Sequence, residues 1–319
     1  MKHYSFLNLL LVISYNLCFT QTEIVTILDK ETHKLIPFVT VSFGENDGIY
    51  SDIEGKFSLE LIVNDTIILS SIGYKTQTVL KNSIQTNTIY LQPTNVLLEE
   101  VIVSNKKKKF KLIKSKPIND KDFLNSYKNP IGSEIACLIP NNYGDKDVQI
   151  KSILIPSYNK TMTKEMNKQV LKRHTFKTIY KITFLQNENG IPGDEIKTDF
   201  ITLIFDEKTD TSKLNIEIQQ IYLPKNGCFI SLLNLGPADE NGNLIPTSPF
   251  YEKQTSKGLM RFSKPIKPYF PINFDKNEIQ TFVRHMFNED KDWKPFYFRK
   301  NRTSEFHNLS LGYELKVFE

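Results

Sequence analysis

Cysteine is scarce, with 3 residues in 319, and glycine is modest at 13. A cysteine-dense scaffold and a collagen-like chain are both excluded. Histidine is sparse too. His3, His33, His174, His285 and His307 are scattered. None forms H-E-x-x-H or pairs with another at i+2 to i+4, so a zinc hydrolase is poorly supported. The chain has no G-x-S-x-G elbow, no phosphate-cradling glycine loop and no dinucleotide fingerprint. It has no apolar run of the roughly 20 residues that a membrane-spanning helix takes. Charge of one sign is barely in excess: 41 Lys and Arg against 36 Asp and Glu leave +5. One segment holds that excess. Between Asn105 and Lys121 stand eight lysines and one aspartate, a net +7, which leaves −2 for everything else. That distribution argues against a nucleic-acid binder with a basic face spread through its fold.

What is present points to a folded, exported chain. Hydrophobic residues make up 39% and charged residues 24%, which is a globular composition. The length suits about two domains. Lys2 and His3 precede the apolar run Phe6-Leu7-Asn8-Leu9-Leu10-Leu11-Val12-Ile13. A short apolar run with a basic flank reads as a secretory signal peptide, here residues 1–20 with cleavage after Thr20. The expected address is therefore the periplasm, the outer-membrane surface or the extracellular space. Removing Cys18 leaves Cys137 and Cys228. In an oxidising compartment they either pair as a disulfide or sit as two small buried hydrophobes.

Residues 21–103 alternate short β-rich runs with turns. The runs are Glu23–Leu28, Pro37–Phe43, Ile49–Ser51, Lys56–Leu61, Thr66–Ile72, Lys75–Leu80 and Thr88–Leu91. In the second, Phe38, Thr40 and Ser42 share one face while Val39, Val41 and Phe43 share the other. Asp52-Ile53-Glu54-Gly55 is turn chemistry, with an aspartate to bind backbone N–H groups and a glycine free to take positive φ. Seven strands in about 70 residues predict a β-sandwich.

The series Ile36-Pro37-Phe38-Val39-Thr40-Val41, Asp52-Ile53-Glu54-Gly55-Lys56-Phe57-Ser58-Leu59, Asp65-Thr66-Ile67-Ile68-Leu69-Ser70 and Ile72-Gly73-Tyr74 resembles the carboxypeptidase regulatory-like domain. Its close, Ile89-Tyr90-Leu91-Gln92-Pro93 and Leu98-Glu99-Glu100-Val101-Ile102-Val103, is similar as well. The resemblance covers about a quarter of the chain. It implies a seven-stranded, transthyretin-like sandwich in exported proteins of two-membrane bacteria, an accessory module without zinc ligands or a nucleophile.

Residues 104–129 read as a Lys-rich linker. Its Lys106–Lys111 run either attracts an anionic membrane surface or acidic partner, or is a solvated spacer extended by self-repulsion. Residues 130–319 carry further strand signals at Ser133–Ile139, Val148–Ile155, Thr175–Leu185, Phe200–Phe205, Asn215–Ile221, Cys228–Leu235, Gly258–Phe262, Pro295–Arg299 and Leu309–Phe318. Lys160–Arg173 reads as a helical excursion or a loop. The whole is expected to be all-β: the transthyretin-like sandwich followed by a larger, jelly-roll-like β-sandwich. By length alone, an eight-stranded outer-membrane barrel is an alternative for the second half. The stretch Lys181–Phe184, Asn189–Ile196 and Ile221–Ile230 also resembles C-terminal sandwiches of exported proteins, including galactose-binding-like ones, and transfers no binding residues.

No catalytic, cofactor-binding or metal-binding residue stands out, and no cofactor is implied. Trp293, Phe296, Tyr297 and Phe298 either line a sugar or peptide groove or belong to the core. The expected function is a non-enzymatic cell-envelope protein, an accessory or binding module for a carbohydrate or protein partner. The alternatives are a glycan or peptide hydrolase with its site in the second sandwich, and a structural part of envelope assembly.

Overall fold

A computed structural model describes residues 24–44, 46–94, 109–117, 126–165, 168–173, 175–196, 200–264, 266–275, 280–296 and 306–319. The expected signal peptide, Lys106 to Lys108, Tyr297 and Phe298 lie outside the described residues.

Seven strands build the first unit: β1 (Ile24–Asp29), β2 (Thr40–Ser42), β3 (Gly48–Tyr50), β4 (Lys56–Ser58), β5 (Thr66–Ser70), β6 (Gln77–Leu80) and β7 (Thr88–Leu91). They form a three-stranded sheet, β4-β1-β7, facing a four-stranded sheet, β3-β2-β5-β6. The period-two faces expected from sequence set this up. Val25 and Ile27 of β1, Val41 of β2, Ile67 and Leu69 of β5, and Ile89 and Leu91 of β7 meet in one core. The Asp52 turn closes as its residue types require. Its Oδ1 accepts from the N–H groups of Glu54 (2.9 Å) and Lys56 (2.8 Å), and Gly55 takes φ +71°.

The second unit begins with β8 (Phe110–Ser115), β9 (Ser126–Lys128), β10 (Ser133–Ile139), β11 (Val148–Pro156), β12 (Lys160–Glu165) and β13 (Lys168–Arg173). It continues with β14 (Lys177–Glu188), β15 (Ile191–Glu195), β16 (Ile201–Asp206), β17 (Thr211–Asn215), β18 (Cys228–Pro237), β19 (Phe250–Thr255) and β20 (Gly258–Ser263). The last five are β21 (Tyr269–Asp275), β22 (Thr281–His285), β23 (Lys294–Pro295), β24 (Phe306–Leu309) and β25 (Gly312–Phe318). The large sheet runs β15-β14-β18-β10-β22-β23, with β16 also paired to β14. Against it lie the sheets β17-β11-β25-β8 and β24-β21-β9. Ile135, Ile182, Phe184, Ile230 and Leu232 point from the large sheet onto Ile150, Ile153, Leu315 and Val317. Both units are β-sandwiches. The strands of the second divide into separate sheets around a filled apolar core instead of closing into one ring, which corrects the barrel alternative.

Three other expectations are corrected. The linker 104–129 contains structure: β8 pairs with β25, β9 pairs with β21, and Ile113 packs on the second core. The lysines around β8 hide its apolar residues, Leu112 and Ile113, in a run that reads as solvated. Lys160–Arg173 is a β-hairpin, β12 with β13, although its charge content reads as loop or helix. Asn215–Ile221 is not a strand. The strand is β17, and after it Asn215 Oδ1 accepts from Glu217 N–H at 3.1 Å, starting a turn.

The disulfide is not formed, and Cys137 and Cys228 are both free and buried. Cys137 stands opposite Ile230, and Cys228 opposite Ile139. The thiols are therefore diagonal neighbours on adjacent strands. That diagonal spans about 7–8 Å, against the roughly 3.5–4.5 Å between Cβ atoms that a disulfide needs. Burial pushes each thiol up to about 12.

Candidate functional site: the cleft between the two sandwiches

The first sandwich lies on the outer face of the large sheet. Register explains why that face can receive it. Lys181 is opposite Leu233, Leu233 opposite Glu134, and Glu134 opposite Arg284. These four residues form one row across β14, β18, β10 and β22. On one side of the row, Ile131, Ile179, Leu235 and Phe287 cluster with Leu233 of the row and with Phe38 and Tyr50 of the first sandwich. On the other side, Ala136, Leu185, Phe229 and Phe282 form a separate cluster. This is why β18 is buried along almost its whole length rather than alternately: one face meets its own core and the other is covered.

The charges in that row are compensated. Glu134 is 3% exposed. It accepts from Arg284 Nε at 2.6 Å and from Ser231 Oγ at 2.6 Å. A buried carboxylate is tolerated only when paired and hydrogen-bonded in this way. Arg284 also lies 4.2 Å from the centre of the Trp293 ring. Beside them, burial and the neighbouring Glu134 raise the Tyr50 hydroxyl well above its usual value.

From the first sandwich, Phe38 reaches over with φ +51°. That left-handed conformation is unusual for a bulky aromatic and costs on the order of 1–3 kcal/mol. Its ring stacks on Phe200 of the second sandwich, with centroids 5.3 Å apart and planes 7° from parallel. The Phe287 ring packs against Tyr50 at 5.2 Å. It is gripped between Gly48 of one sandwich and Gly132 of the other, and a Cβ at either glycine would fall on it. Arg261 completes the contact with an ion pair to Asp47.

Where the two sandwiches part, they leave a cleft of about 810 Å³. Leu35 to Phe38, Ser71 to Tyr74, Pro93 and Thr94 form one wall, and Lys181, Gln186, Asp194, Glu195 and Phe200 form the other. The first wall is pinned locally. Tyr74 hydroxyl donates to Asp29 at 2.9 Å, and Thr94 N–H donates to the Gly73 carbonyl at 2.8 Å. On the second wall, Glu195 Oε2 is fully buried with no hydrogen-bond partner. Burial raises its carboxyl above the ordinary glutamate range, and the Lys181 charge partly offsets that rise. The Lys181 ammonium lies 5.3 Å from the centre of the Phe200 ring. A second hollow of about 670 Å³ on the first sandwich is more open and has one cation, Lys30, and no carboxylate in its lining.

The aromatic groove expected from sequence is not assembled by its described members. Phe296 is buried, with its ring 4.7 Å from Tyr127. Trp293 packs on the cluster around Phe229 beneath Arg284. Phe296 belongs to the core, Trp293 is half-buried against that cluster, and neither lines the cleft. No group of three or more His, Cys, Asp or Glu among the described residues is placed to hold a metal. Sequence reasoning missed Lys181, Glu195, Phe38 and Phe200 as site residues. A signal existed for Lys181 and Glu134, each a lone charge inside an apolar strand. None existed for Glu195, which sits among turn residues.

Residues 26–103 match the family model described as CarboxypepD_reg-like domain. The first sandwich belongs to the carboxypeptidase regulatory-like family. Its members are β-sandwich domains, often non-catalytic. Comparison with curated proteins and with solved structures found no match.

Proposed function

We propose that this chain is a non-enzymatic, exported cell-envelope protein whose binding site is the cleft between the regulatory-like domain and the second sandwich. The cleft carries the reading: its walls come from both domains, and Glu195 in its lining has a carboxylate oxygen that no protein donor satisfies. Largely apolar walls with a few convergent polar groups are the usual form of a ligand site. Residues 1–20 support export by their signal-like pattern, and the Lys106–Lys111 run suits an anionic membrane surface near the protein. Fractionation of the native host, followed by photo-cross-linking from position 72, tests this reading. Recovery in the envelope with an adduct at Ile72, and none from the 90% exposed Ile218, is the expected result. Recovery in the cytosol with Met1 intact refutes export, and equal labelling from both positions refutes the site.

A hydrolase acting on glycan or peptide is the second reading. It rests on Glu195, a carboxyl held above the usual range inside a cleft. Turnover of a substrate by the purified chain, abolished in Glu195→Gln, would establish it.

A further inference from the structure

The chemistry of the cleft narrows its occupant, given that the cleft is the binding site. Glu195 lines it, and one of its two carboxylate oxygens is buried with no hydrogen-bond donor. A carboxylate left in that state costs free energy until a donor reaches it. The nearest cation on the same wall, Lys181, makes no ion pair with it, and its ammonium lies over the Phe200 ring instead. Asp194 adds a second carboxyl to the wall. Facing these groups, the first sandwich offers aliphatic surface, with Leu35 49% and Ile72 52% exposed. A sugar ring would want a free aromatic face, but Phe200 already carries Phe38 and the Lys181 ammonium on its ring. What fits is a cation on an apolar stem.

We propose that the cleft receives an arginine or lysine side chain of a protein partner, its charged head on Glu195 and its alkyl stem along Leu35 and Ile72. The partner is recognised by charge complementarity at one buried carboxylate. Lys181 opposes it by like-charge repulsion and so sets a limit on affinity.

The test uses the full chain and a fluorescein-labelled pentapeptide with a central arginine between alanines, read by anisotropy. Its twin carries citrulline, which keeps the shape and removes the charge. The arginine peptide should bind, and the citrulline peptide should bind about tenfold more weakly or worse. Glu195→Gln should weaken the arginine peptide by a similar factor. Lys181→Met should tighten it severalfold, a gain that a merely damaged fold cannot produce. An anionic ligand site would show the opposite pattern for the two substitutions. Equal binding of the two peptides, weaker binding by Lys181→Met, or no binding of the arginine peptide at millimolar concentration overturns the proposal. If cross-linking at Ile72 still captures a partner in any of those cases, the cleft remains a binding site and only the class of occupant is wrong.

Discussion

Phe287 is the residue on which the joint between the sandwiches depends most. Its ring is 2% exposed. It touches Tyr50 of the first sandwich, fills the space over Gly48, and has Gly132 on its other side. Phe287→Ala removes that ring from a contact that cannot collapse easily, because both sides are backbone. Truncations of buried phenylalanine cost about 3–5 kcal/mol, and here the loss falls on the joint rather than inside either core. Urea unfolding followed by Trp293 fluorescence, with hydrogen exchange read on Thr40–Ser42 and Gly48–Tyr50, measures it. The variant should lose that stability, and β2 and β3 should exchange faster while the second core stays protected. Gly48→Ala adds a methyl where the ring and the Val41 carbonyl already stand, an overpacking cost of about 1–3 kcal/mol. Together the two changes should cost less than their sum, because removing the ring relieves part of the clash. A loss below about 1 kcal/mol for Phe287→Ala, or strict additivity of the pair, would refute the argument that this ring joins the domains.

Three more outcomes follow from the same geometry. Arg284→Met strands the buried Glu134 carboxylate and should cost about 3–5 kcal/mol; chemical denaturation measures this, and a neutral result contradicts the pair's role. Glu314 is bound by Lys213 at 2.8 Å and Ser152 at 2.9 Å, which hold its pKa at about 2. Because the folded value lies below the unfolded one, its contribution is full above about 4.5 and fades as pH falls toward 2. Glu314→Gln should flatten the acid limb of a stability–pH curve in that window, and an unchanged limb counts against the assignment. Cys137 and Cys228 should resist thiol reagents in the native protein and react only on unfolding, and a native mass that shifts on reduction contradicts the free pair.

The first sandwich was legible in the sequence almost strand for strand, because one face of each strand is apolar and the turns between strands are marked by Asp, Asn and Gly. Its outer face was less so. Thr40 and Ser42 share a strand face with Phe38 and are polar, yet both are buried, and contact between domains leaves no period in a sequence. β8 was hidden by the lysines around it. The cleft could not be read at all, since Glu195, Phe200, Ile72 and Leu35 are brought together only by the docking of two separately folded units. The aromatic run at Trp293 and Phe296 was visible but ambiguous, because burial, not composition, decides between groove and core.

Everything said of the cleft requires that the two sandwiches hold one relative position. Pulsed electron spin resonance between nitroxide labels at Val63 and Ile218, 80% and 90% exposed on the first and second sandwich, reads that position in solution; the buried cysteines stay unlabelled. A single narrow distance that broadens in Phe287→Ala is the predicted result, and a broad distribution in the unaltered protein would contradict it.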